Sequence, residues 1–538
     1  MTSDKFPKAG ELGPEDEALR DDRPGEAGTK PPEGEDSYVA KVARGAGISS
    51  VGQGTGRVLG VVTQAVLART FGTSLFGIYT LCIAIVSAAN ILSQFGLDNG
   101  VVRYVAHYRA REDTARMRGT IIQAVWITFG ISLVVAVAIF FGAGFFASAF
   151  EEPRLESVLR YFAFGLPFFA LMSILVWATQ GFQTVTYATY TQQILRPLIY
   201  FVFVVGVYLL GASLAGVAVA YAVSMALGVL IGLYYLRKLF PPLLERSVQP
   251  KFETRALFAV SLPMSISRVT QYANNWSAVL ILGIFQPAAA VGIFQVAFRT
   301  ATLATLVRFA FNGIFSPIIS NLHSRDMTED LGRLYKDVAR WTFTGAFGLF
   351  LIIVLLATEI LTIFGGEGFT AGWTALILVA GAQLFSTSVG PSPRMLAMTG
   401  NQNVVMLATV IGASTGVALC FALVPSYGLL GAAIGASSAI ITENTLTVIA
   451  VRRRLGFWPY NLNFLKPLAA GLLAAGAAYL FKEFVSLPGL LPTVVVVGGI
   501  FSVLFLTLLF LLGLSETDKE FLRTFWDVAK RLLRRGRS

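Results

Sequence analysis

The chain has 538 residues, 55% of them hydrophobic and only 14% charged, with a formal net charge of +11 and a mean hydropathy of +0.67. Soluble domains carry roughly 25% charged residues, so this composition excludes a soluble enzyme or nucleic-acid-binding domain and indicates a polytopic membrane protein. Cys82 and Cys420 stand isolated in apolar runs, and His107 and His323 are the only histidines, which rules out a disulfide framework and leaves no basis for a metal site.

Residues 1–41 form an acidic tail rich in Gly, Pro, Glu and Asp, expected to be disordered and cytoplasmic. Residues 1–37 hold 11 acids and 5 bases, net −6, which leaves +17 for the remainder. This polar start does not read as a secretory signal, so the first span is expected to act as the internal one.

Fourteen apolar segments follow, near 42–70, 75–97, 119–147, 157–180, 189–211, 213–236, 255–284, 288–316, 341–364, 374–396, 402–424, 428–451, 465–482 and 491–513. The expected fold is therefore all-α, with 14 transmembrane helices. Bases concentrate in alternate loops: Arg103 to Arg118, Arg237 to Arg255, Arg325 to Arg340, and Arg452 to Lys466. By the positive-inside rule these loops and both termini are cytoplasmic. The last stretch, 515–538, reads as a basic amphipathic helix on the inner membrane surface, opened by Ser515 and Asp518 as a capping box.

Polar residues inside the spans are the candidate site. In Ser261–Phe285, Arg268, Gln271 and Asn275 fall at i, i+3 and i+7 and share one helix face, with Asn274 beside them. The first span repeats the device with Gln53, Arg57 and Gln64. Arg57, Arg268 and Arg299 all lie near mid-bilayer at about 1.5 Å rise per residue, and Arg308 lies deeper along the same eighth span. A guanidinium facing lipid costs several kcal/mol, so these groups are expected to face protein or a water-filled cavity. Guanidinium forks match phosphate oxygens. The amides suit sugar hydroxyls, or equally bonds between helices. Tyr272 and Trp276 suit sugar-ring stacking, or equally packing. Glu443, the one acid placed at similar depth, reads either as a structural counter-ion or as the carrier of a coupling proton or Na⁺.

The chain also repeats itself at an offset of about 215 residues. Phe76-Gly77-Ile78-Tyr79 returns as Val291-Gly292-Ile293-Phe294, Arg237-Lys238 as Arg452-Arg453, and Trp126 as Trp341. An even number of spans per repeat preserves orientation, so 42–236 and 255–454 are expected to be parallel six-helix lobes. Residues 237–254 would be a cytoplasmic linker and 465–513 two additional spans.

Arg57 on the first span, the Phe76–Tyr79 step, and Phe95-Gly96-Leu97 before the basic loop at Arg103 resemble the opening of polysaccharide-biosynthesis transporters of the MOP (MATE-like) superfamily. The resemblance covers about 42–513, including the twelve-plus-two layout of Wzx-type flippases. It implies a monomeric flippase of the cytoplasmic membrane that moves a polyprenyl-(di)phosphate-linked oligosaccharide by alternating access, with Arg57 in its cationic cavity and Arg268 as the repeat partner. No nucleic acid and no cofactor is implied. A MATE-type cation-coupled drug exporter is the alternative, but it calls for intramembrane carboxylates to outnumber bases. A membrane glycosyltransferase calls for metal-binding or acidic motifs on large external loops. The chain has no HExxH, DxD or P-loop motif, so it does not read as an enzyme.

Overall fold

The structure is a computed structural model that describes residues 35–513, apart from 212, 244, 246, 247, 486 and 487. The acidic tail before residue 35 and the amphipathic segment 515–538 lie outside the described residues. By its contacts the chain divides into Met1–Arg44 and Gly45–Ser538; apart from the first ten residues of the opening helix, everything below concerns the second unit.

The described residues are helical throughout. The first half comprises α1 (Glu35–Gln94), α2 (Leu97–Ala110), α3 (Thr114–Ala149), α4 (Arg154–Ala163), α5 (Leu166–Gln180), α6 (Thr186–Thr189), α7 (Arg196–Leu209) and α8 (Leu214–Leu239). A π-helical turn, Tyr190–Leu195, joins α6 to α7. The second half comprises α9 (Thr254–Phe285), α10 (Ala288–Thr302), α11 (Leu306–Ser324), α12 (Thr328–Leu355), α13 (Ala357–Gly365), α14 (Trp373–Ser388), α15 (Ser392–Met398) and α16 (Gln402–Leu455). Two more, α17 (Leu465–Phe484) and α18 (Leu490–Leu511), close the chain.

Two of these helices carry a break. Gly72 interrupts α1 at φ 68°, ψ −176°, and Gly428 interrupts α16 at φ 51°, ψ −123°. Only glycine reaches such backbone angles readily, because any Cβ would clash. Among the described residues, ten helices are long and apolar enough to cross a membrane, or eleven if α4 and α5, bent by 41°, form one span. The chain is an all-helical polytopic membrane protein.

The main core joins the halves. Phe76, Ile78 and Leu81 of α1 belong to one buried cluster with Val291, Phe294 and Ala297 of α10 and Leu376 and Val379 of α14. Lipid tails are as apolar as leucine, so helices in a membrane associate through close packing, which small residues allow. The last two helices follow this rule: Ala470, Ala474 and Ala478 of α17, one turn apart, are all fully buried. They join Phe343 and Phe347 of α12 and Phe501 and Phe505 of α18 in a cluster of their own. Lys482 at the end of α17 pairs with Glu359 of α13 at 2.6 Å and donates to the Leu355 carbonyl at 2.9 Å. Glu359 thus ties the terminal pair to the second half.

Candidate functional site

A cavity of about 310 Å³ opens in the first half. The end of α1 contributes Asn90 and Gln94, α2 contributes Asp98, α5 contributes Ser173 and Trp177, and α9 reaches in with Arg268. Gln192 and Gln193 enter from the π turn and Arg196 from the residue that follows it. A π turn widens the helix and shifts side-chain register, and such turns concentrate at functional sites. Here it brings Gln192, Gln193 and Arg196 to one wall. α1 packs tightly behind it: a Cβ on Gly56 would run into the Gln193 carbonyl oxygen.

Arg268 is ion-paired with Asp98, whose carboxylate is only 1% exposed. Its guanidinium also lies 4.8 Å from the Trp177 ring centre, a geometry that attracts the cation to the indole face. Asp98 corrects the sequence reading, which placed Glu443 as the one acid at this depth. Gly96 turns the chain between α1 and α2, and that turn carries Asp98 inward to meet α9. Of the polar face expected on α9, Arg268 lines the cavity, whereas Gln271 and Asn275 are exposed and Asn275 donates to its own helix at the Gln271 carbonyl, 2.7 Å.

The other candidates form a second group. The charges of Arg57 and Arg299 act on one another, and Arg308 feels Glu443, Arg57 and Arg394. Arg299 sits over Trp276, 5.4 Å from the ring centre, and its Nε is buried with no hydrogen-bond partner. Arg308 donates to Ser386 at 2.8 Å, which in turn donates to Asn444 at 3.2 Å. Glu443 accepts from Thr409 at 3.0 Å and from Asn274 at 3.3 Å. Gln53 and Gln64 are partly buried on α1. Tyr272 spans the halves by donating to the Ala84 carbonyl at 2.8 Å, a packing role.

At the basic-loop end, the connector between the halves is stitched to α2 and α3. Tyr108 donates to Glu253, Arg116 pairs with Glu253 at 2.9 Å, and the Lys251 amide donates to the Ala115 carbonyl at 3.1 Å. Burial and the neighbouring Glu253 carboxylate push the Tyr108 phenol above its ordinary range.

The arrangement is therefore helices of two halves around buried cations that outnumber carboxylates, in a bundle with no cluster of metal-ligating residues among those described. The family profile described as polysaccharide biosynthesis protein matches residues 42–323. The chain belongs to that family. Among its relatives, the probable low-salt glycan biosynthesis flippase Agl15 of Haloferax volcanii is 24% identical over 268 residues, 49% of this chain and 56% of that protein. The match thus spans little more than half of that relative's length. Stage V sporulation protein B of Bacillus subtilis is 23% identical over 463 residues, 80% of this chain and 87% of that protein. Among solved structures, the lipid II flippase MurJ in an inward closed conformation superposes with a TM-score of 0.67 at 14% identity. It covers 86% of this chain and 97% of that one. At that identity the likeness is one of fold.

Arg196, Asp98, Gln192 and Gln193 were missed from sequence. For Arg196 the signal was present: a single Arg between Leu195 and Pro197 inside an apolar span is a functional candidate by default.

Proposed function

We propose that the chain is a flippase that translocates a polyprenyl-(di)phosphate-linked oligosaccharide across the cytoplasmic membrane, for surface polysaccharide or glycoprotein biosynthesis. The observation that carries this is the excess of cations over carboxylates around Arg299. The Arg299 Nε is buried with no hydrogen-bond partner among the described residues, a state that an anion relieves. A diphosphate head supplies that anion, with Arg308 as a further contact. Relatives whose names describe glycan biosynthesis flippases support the same substrate class. A MATE-type exporter of cationic drugs is disfavoured by the same excess of cations. The work is transport, not catalysis.

Fourteen spans remain the best account of the topology. Eleven helical spans become thirteen when α1 and α16 are divided at Gly72 and Gly428, and α9, long enough but polar in its first half, makes the fourteenth. The parallel repeat, with lobes 42–236 and 255–454, is supported by recurring boundaries. α3 opens at Thr114 and α12 at Thr328, 214 residues apart, and α8 opens at Leu214 where α16 breaks at Gly428, again 214 apart. Such paired bundles work by rocking around a fixed site. A monomer with both termini cytoplasmic, using a proton or Na⁺ as coupling ion, completes the reading.

The test is surface glycan in a deletion strain expressing each variant, normalised to protein level. A charge-assisted contact is worth about 1.5–3 kcal/mol, so Arg57→Gln and Arg299→Gln each weaken head-group binding by roughly 10- to 150-fold. Lys at either position restores part of the glycan, because it keeps the charge and loses the fork. Full glycan from both Gln variants removes the anion-clamp reading.

A further inference from the structure

Arg196 is the cation that the cavity of the first half leaves uncompensated. Arg268 faces the same space, but Asp98 neutralises it. Among the described residues Arg196 has no hydrogen bond and no ion pair, and its electrostatic neighbours are three tyrosines, Tyr79, Tyr200 and Tyr221. A guanidinium inside a span without a counter-charge is unfavourable, and it is retained where it meets a ligand or lines a polar path.

The remainder of the wall does not suit a bare phosphate. Gln192 and Gln193 present side-chain amides that bond to nothing in the protein among the described residues, and Gln94 donates only to Asn90, at 3.0 Å. Trp177 adds an indole, steadied by Arg268. Unspent amides beside an aromatic face are what sugar hydroxyls and sugar rings require, since each hydroxyl both donates and accepts. The cavity, about 310 Å³, sits at the small end of ligand pockets, which run to roughly 300–1,000 Å³. That is the scale of one sugar ring and not of a whole oligosaccharide.

We propose that this cavity is a glycan subsite which takes a single sugar bearing an anionic substituent, a hexuronate carboxylate being the simplest case. Arg196 binds the anion, and Gln192 and Gln193 bind ring hydroxyls. The proposal rests on the flippase reading and adds a specificity to it: the glycan carries negative charge beyond that of its lipid phosphate. The subsite is distinct from the cluster around Arg57 and Arg299, neither of which lines this cavity.

The experiment uses the full chain purified in detergent. Binding of methyl β-D-glucuronide, methyl β-D-glucoside and inorganic pyrophosphate is followed by ligand-observed NMR or by tryptophan fluorescence. The glucuronide is expected to bind the parent protein about tenfold more tightly than the glucoside, the discrimination of one modest charge-assisted contact. Arg196→Gln abolishes that preference, and Arg196→Lys retains part of it. Arg57→Gln and Arg299→Gln leave the preference intact and weaken pyrophosphate. Equal binding of the two sugars to the parent protein overturns the subsite, and this arm needs no variant to fold. Pyrophosphate that displaces the glucuronide and is lost in Arg196→Gln also overturns it, by making the cavity the phosphate seat while the flippase reading stands. A glucuronide preference that persists while pyrophosphate ignores Arg57→Gln and Arg299→Gln supports the subsite and removes the clamp instead.

Discussion

Gly77 and Gly292 exchange partners across the two halves: a Cβ on Gly77 would run into the carbonyl oxygen of Ala288, and one on Gly292 into that of Thr73. Each glycine is 215 residues from the other, and so are Thr73 and Ala288. A contact in which i meets j and the copy of j meets the copy of i is the pattern of a two-fold axis. It lies where α1 resumes after Gly72 and where α10 begins, the end of the bundle away from the basic loops.

Gly77→Val and Gly292→Val are therefore expected to wedge the halves apart at that end. Overpacking costs about 1–3 kcal/mol, comparable with the difference between two conformers of a transporter. Cysteines at 73 and 288 give the readout: each Val variant lowers their cross-linking yield and the surface glycan together. Unchanged yield and glycan in both variants would mean that the contact does not hold the halves.

Asp98 and Arg268 predict an asymmetry. Arg268→Gln leaves a carboxylate that is 1% exposed without its partner, while Asp98→Asn leaves a guanidinium that is one-third exposed and still rests on Trp177. Removing one member of a buried pair costs about 3–5 kcal/mol when the survivor is fully buried, and less when water reaches it. Arg268→Gln should lower thermal stability more than Asp98→Asn, and the double variant should be more stable than Arg268→Gln alone. Additive losses in the double variant would show that the pair is not coupled.

The contrast between these two residues shows what the sequence could and could not carry. Arg268 was legible because it is a lone cation inside an apolar run. Asp98 was not, because it stands at the mouth of a basic loop, and only the turn at Gly96 brings it against α9. The helix breaks at Gly72 and Gly428 fall where the apolar segments were divided, since turn residues punctuate them. Arg196 has no counterpart at the repeat offset, where Ile411 stands, so an argument from repetition passed over it. The π turn that carries Gln192 and Gln193 has no local sequence mark.

Topology gives a third prediction. If α1 and α16 each cross twice, a reporter fused after Ser538 behaves as cytoplasmic, and one inserted at Gly72 or Gly428 behaves as external. Cytoplasmic signal from both insertions would reduce the span count and cancel the parallel-lobe reading.

Glu443 supplies the last. Its carboxylate accepts from Thr409 and Asn274 and faces the charge of Arg308, which is itself anchored on Ser386. As a fixed counter-ion, Glu443 would serve only to balance Arg308. Then Glu443→Gln would be repaired by Arg308→Gln, which removes the stranded cation. As the carrier of a coupling proton or Na⁺, Glu443 would change its charge during the cycle, and no second substitution could replace that. A coupling ion that shifts a transporter between states acts through a free energy of about 1–3 kcal/mol, roughly 5- to 150-fold. We expect Glu443→Gln to lower surface glycan within that range, and the residual transport to become indifferent to a protonophore or to removal of Na⁺. Repair by Arg308→Gln, with the gradient dependence of the parent retained, would assign Glu443 to structure and send the search for the coupling group elsewhere in the bundle.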